Sequence, residues 1–141
     1  MTAVQRIKKI IGFDSRGPTI SIGLLAVWTF VAWGPRIRNI WDDDALSVGG
    51  QLWRTAIALF FLGAAAVMVL AWLRRHPQRN RIATGFAVWT VGYWILRMVI
   101  IVTGDHSVGF ILVHAALALV SGVLAVGVIS AQRRKQAEAS A

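Results

Sequence analysis

The residues of this sequence with a capacity for chemistry are few and lie in apolar surroundings. Arg54, Arg97 and His114 are the ionisable groups inside its long apolar runs, where no Asp or Glu is found. A guanidinium at the centre of a membrane-crossing helix costs about 2.5–3.5 kcal/mol on insertion scales, so each such group needs a reason to be present. Arg54 lies two residues past Leu52, where a run begins, and can reach the headgroups by extending along its helix. Arg97 lies six residues before Thr103 and His114 six residues after Val108, on runs joined by the turn Gly104-Asp105-His106-Ser107. At ~1.5 Å of rise per residue, both stand about 9 Å below the same membrane surface. Two groups able to carry positive charge therefore approach one level from adjacent helices.

Their neighbours extend the pattern. Thr90, Tyr93, Arg97 and Gly104 share one face of a helix, leaving Val91, Ile95, Val99 and Val102 for lipid. On the next run His114, Ala118, Ser121 and Ala125 form a stripe of the same pitch, whose small members permit close approach. The two stripes predict an antiparallel pair with Arg97 and His114 near its outer end. Lined by Tyr93 and Trp94, with Trp28 or Trp53 nearby, these residues form an expected cationic notch for a phosphate or carboxylate. Arginine suits such an anion because its planar fork donates paired, charge-assisted hydrogen bonds. A lipid phosphate, a lipid-linked sugar phosphate and an acidic residue of another membrane protein all fit. The plainer alternative is that Arg97 fastens the bundle by bonding to Asp105 or to one of Asp42, Asp43 and Asp44.

Other chemistries lack their residues. Haem held by two imidazoles needs both at one depth, whereas His106 and His114 are eight residues apart and His76 belongs to a different connection. Three consecutive Asp residues lack the alternating spacing of a calcium loop. Proton-coupled transport places a carboxylate within the membrane, and there is none here. Cysteine is absent, and Ser121 with His114 has no carboxylate to orient the base. No glycine-rich phosphate loop occurs. No catalytic residue, metal or cofactor is therefore expected.

The elements that must position these groups follow from composition. Among 141 residues 57% are apolar and 15% charged, with a mean hydropathy of +0.63, against roughly 45–50% and about 25% in soluble domains. Such a chain is neither disordered nor a disulfide-stapled secreted module. Four apolar runs emerge: Thr19 to Trp33, Leu52 to Leu73, Ile82 to Thr103 and Val108 to Ser130. The last three exceed the ~20 residues needed to cross a bilayer. The first follows Pro18 and is expected to end before Gly34-Pro35. It is read as a span rather than a cleaved signal peptide, because Phe30-Val31-Ala32-Trp33 is a poor cleavage site.

Lys and Arg alternate between connections: four before the first run, two after it (Arg36 and Arg38), four from Arg74 to Arg81, none at the Gly104 turn and three at the end. The positive-inside rule then places both termini in the cytoplasm and the Asp42 to Asp44 segment outside. The net charge of +9 is accounted for by topology and headgroup attraction, and nucleic acid is not an expected partner. Residues 2–13 carry Val4, Ile7 and Ile11 at helical spacing opposite Arg6 and Lys9, as in a basic interfacial helix.

The fold expectation is thus all-α: an interfacial amphipathic segment over residues 1–17, a four-span transmembrane bundle over 18–131 and a cytoplasmic polar tail over 132–141. Twelve Arg against three Lys, with abundant Ala, Val and Gly, suggest a GC-rich bacterium and its cell membrane. The functional expectation is a non-enzymatic accessory subunit or lipid-handling component of the bacterial envelope. It binds an anionic lipid headgroup or an acidic membrane-protein partner through Arg97, with His114 and Arg54 in support. The alternative is a small transporter or channel, formed by self-association, for an anionic solute or lipid-linked substrate.

Overall fold

The computed structural model describes residues 13–140, and they form four helices: α1 (Phe13–Trp41), α2 (Val48–Leu73), α3 (Arg79–Thr103) and α4 (Val108–Ala139). Each is long and apolar enough to cross a membrane, where a helix satisfies all its backbone groups internally. The chain is a small multi-pass membrane protein. The expected interfacial helix lies mostly in residues 1–12, outside the described residues. From Phe13 onward the chain is already part of α1.

Two helices begin alike. Ser47 caps α2 by accepting from the Gly50 amide, and Ser107 caps α4 by accepting from the Phe110 amide, which satisfies amides that lack an intrahelical partner. Both starts lie at the end of the bundle with the 42–47 and 104–107 connections, here the two-loop end. The opposite end, with the 74–78 connection, is the hairpin end.

The expectation that the first run stops before Pro35 is corrected. The helix passes through Pro35 and continues to Trp41. Proline removes one backbone donor, leaving a single gap in the ladder, and spanning helices tolerate that where neighbouring helices support them. Trp33, Ile37 and Ile40 keep the helical period across the proline, with Trp33 and Ile40 buried and Ile37 packed on the core. At the other terminus α4 runs on beyond Ser130 to Ala139.

The helices pack in a ring, each against its sequence neighbour, with α4 closing against α1. The pairs α3–α4 and α1–α2 are the closest and α2–α3 is the loosest. The expected α3–α4 pairing is present, but Tyr93 and Arg97 of the α3 stripe turn toward α2, and Val91, Ile95 and Val99, expected to meet lipid, lie beside Ala118 and Gly122 of α4. Small residues make close approach possible: Ala58 and Ala65 on α2, Ala83 and Ala87 on α3 and Ala125 on α4 are all fully buried. The centre is aromatic. Trp33 stacks on Phe61 with ring centroids 4.4 Å apart, and Tyr93 meets both edge-on at 5.5 and 4.9 Å. Pairs of this kind contribute about 0.5–1.5 kcal/mol beyond area burial.

Polar groups within the spans are mostly committed. The Thr29 and Thr90 hydroxyls donate to the carbonyls of Leu25 and Phe86 on their own helices. Trp28 Nε1 donates to Ser121 Oγ at 2.9 Å, tying α1 to α4. Outward, Val27, Leu59, Ile95, Val99, Leu112 and Val123 are exposed, the surface that lipid covers.

Candidate functional site

Near the two-loop end three helices bring charged groups into the bundle. Because α1 continues past Pro35, Arg36 sits one turn beyond Trp33, and its guanidinium lies over the indole, 5.4 Å from the ring centroid. Arg36 Nη2 is 3.4 Å from His114 Nε2, and His114 Nδ1 is 2.9 Å from the Phe110 carbonyl oxygen. A carbonyl only accepts, so Nδ1 carries the proton. Nε2 is then left as an acceptor for Arg36. His114 is a neutral ring with both nitrogens in use, 6% exposed and packed on Phe110 at 4.0 Å.

Arg97 is arranged differently. Its Nε is buried and has no hydrogen-bond partner. It pairs with neither Asp105 nor any of Asp42, Asp43 and Asp44; among the described residues the one ion pair is Arg38–Asp42, exposed, at 3.3 Å. The fastening alternative therefore lacks its contacts. Arg97 instead lines a groove of about 490 Å³ between α2 and α3, with Trp53, Ile57, Phe60, Trp89 and Tyr93 among its walls. From Trp89 to Ile100 this groove covers roughly 16 Å of helix. It occupies the loosest seam of the ring and opens sideways, where Trp53, Phe60, Trp89 and Leu96 are exposed.

The five residues expected to bind ligand thus fall in separate surroundings. Arg97 and Tyr93 share the groove. His114 faces Arg36, on the α1–α4 side. Trp94 is buried in the interior, near Trp33 and Tyr93, and does not line the groove. Arg54 is exposed on α2, close enough for its charge, with that of Arg97, to act on Arg36. The Tyr93 hydroxyl in turn feels Arg36 and Arg97. Trp28, bonded to Ser121, is taken up in packing.

Sequence reasoning missed Arg36, assigning it to a loop. The signal that could have found it is the unbroken period of Trp33, Ile37 and Ile40. With Arg36 included, the charges of Arg97 and Arg54 both reach one guanidinium, and none of the three pairs with a carboxylate among the described residues. Like charges at partial burial repel more strongly than in water, so an anion placed here would be attracted chiefly by the half-buried Arg36 and Arg97, with a weaker, solvent-screened contribution from the exposed Arg54. Among the described residues no three His, Cys, Asp or Glu side chains gather to hold a metal ion.

Comparison with known proteins finds no matching family model, curated protein or solved structure. What fold and site define is a class: a multi-pass four-helix membrane bundle with a cationic cluster beside a lateral apolar groove.

Proposed function

We propose that this protein is a non-enzymatic lipid-handling component or accessory subunit of the bacterial cell membrane. It holds an anionic headgroup at Arg97, while the attached hydrocarbon chain lies along the α2–α3 groove. The observation that carries this reading is the buried, unpartnered Nε of Arg97 on the wall of a groove that opens toward lipid. The guanidinium has no acidic partner among the described residues, so an anion at the groove wall meets a charge that nothing else neutralises. Arg36 and Arg54 strengthen the field at the groove's charged end, and Tyr93 offers a hydroxyl beside it. The positive-inside rule orients this end outward, with both termini cytoplasmic.

Binding is favoured over conduction through a single copy by the aromatic packing at the centre, where Trp33, Phe61 and Tyr93 fill the space between helices. The test is native mass spectrometry of the chain extracted in mild detergent. Wild type is expected to retain an anionic lipid, whereas Arg97→Ala loses it by a factor of ten or more, about 1.4 kcal/mol or above, and remains helical by circular dichroism. Equal retention by the two proteins removes the reading.

A further inference from the structure

We propose that the hairpin end contains a second anion site, separate from the groove, which takes the phosphate of an anionic lipid headgroup. A pocket of about 340 Å³ is lined there by Thr19 of α1, Trp72 of α2, Arg75 of the connection, Arg79 of α3 and Lys135 of α4. Every helix contributes. The Arg79 guanidinium lies over the Trp72 ring at 4.9 Å and the Lys135 ammonium at 6.0 Å. The indole is held in turn by Nε1 donating to Thr19 Oγ1 at 3.2 Å. Two cations thus share one aromatic ring while a third faces the same space. None of the three has an acidic partner among the described side chains. One turn deeper on the same face of α4, Gln132 is 4% exposed and its Nε2 also lacks a partner.

Topology alone asks for cations at this end but does not ask them to converge. Arg75 carries the stronger indication. The last turn of α2 closes with the Arg75 amide on the Trp72 carbonyl and the His76 amide on the Ala71 carbonyl, the pairing in which the residue after the cap is left-handed and is usually glycine. Arg75 takes that conformation, with φ of 51°, although glycine does so without a steric penalty. Such a conformation persists where the surrounding structure holds it, and Arg75 lines the pocket. Three donors at the level of an interfacial tryptophan match the phosphate of a lipid in the adjoining leaflet.

The strained arginine permits a test in which folding and binding move in opposite directions. In full-length protein carrying Arg97→Ala, which removes the proposed groove site, dioleoylphosphatidate is titrated and bound lipid counted by native mass spectrometry. Arg75→Gly is expected to weaken binding at least tenfold while leaving the melting temperature unchanged or raised. Arg74→Gln, which removes the same charge one residue away, changes binding less than twofold. Equal weakening by the two variants reduces the pocket to surface charge and overturns the proposal, as does binding of dioleoylphosphatidylcholine as tightly as phosphatidate. Inorganic phosphate titrated without lipid is expected to bind at least tenfold more weakly than phosphatidate. Equal affinity assigns the pocket to free phosphate and overturns the headgroup assignment.

Discussion

At the two-loop end Arg36 and Arg97 are half-buried among helices, one resting on Trp33 and hydrogen-bonded to His114, the other with a buried donor lacking any partner. At the hairpin end Arg75, Arg79 and Lys135 rim a surface pocket and two of them lean on Trp72. The aromatic partner is the same kind in both places, yet its role differs. Trp33 is 5% exposed and part of the core, so the arginine above it is tied to the packing of the whole bundle. Trp72 is only half-buried and lies at a helix end, so its cations remain within reach of water. Charge at depth is therefore tied to the stability of the bundle, whereas charge at the surface is not, and any ligand held at the two ends would feel that difference.

Substitution of the two indoles tests that contrast with the largest expected effect. Trp33→Ala removes the stack on Phe61 and the seat of Arg36, and is expected to cost about 3–5 kcal/mol. Trp72→Ala is expected to cost well under half as much. Reversible unfolding in detergent micelles measures both, and comparable losses break the comparison. Next, Arg36→Ala leaves His114 Nε2 buried without its donor and is expected to destabilise by about 1–3 kcal/mol. Lys135→Ala stays within about 0.5 kcal/mol, as surface substitutions do.

A smaller effect concerns the turn that joins α3 to α4. A Cβ on Gly104 would lie 2.8 Å from the His106 ring and 3.1 Å from the Ile100 carbonyl oxygen. The ring can swing aside and the backbone oxygen cannot, so Gly104→Ala is expected to lower stability by about 1 kcal/mol. Gly63→Ala, with nothing within 4 Å of the new atom, leaves stability unchanged or raised because alanine is the better helix former. Smallest of all, Arg54→Ala is expected to change anionic-lipid retention less than twofold, since its side chain is exposed and acts only through its field.

Much of the architecture is legible because long apolar runs leave few alternatives in a membrane. The site was legible in part. Pro35 reads as a stop, which puts Arg36 in a loop and leaves His114 without its neighbour, whereas the helix continues through it. Trp94 follows Tyr93 directly in sequence, yet one residue is about 100° of helix, and the indole turns into the interior. The α2–α3 groove depends on which pair of helices packs loosely, and no local pattern encodes that. Arg75 was hidden for a related reason: without a glycine, nothing in the sequence marks a left-handed residue.

The claim that a lipid occupies the groove beside Arg97 is tested most directly by photocrosslinking in membranes with an anionic phospholipid bearing a diazirine on its acyl chain, followed by peptide mapping. Adducts are expected on the groove walls, at Trp53, Phe60, Trp89 or Leu96, and are expected to fall at least tenfold in Arg97→Ala. Adducts spread evenly over the exposed faces of α1 and α4, unchanged by that substitution, would contradict it.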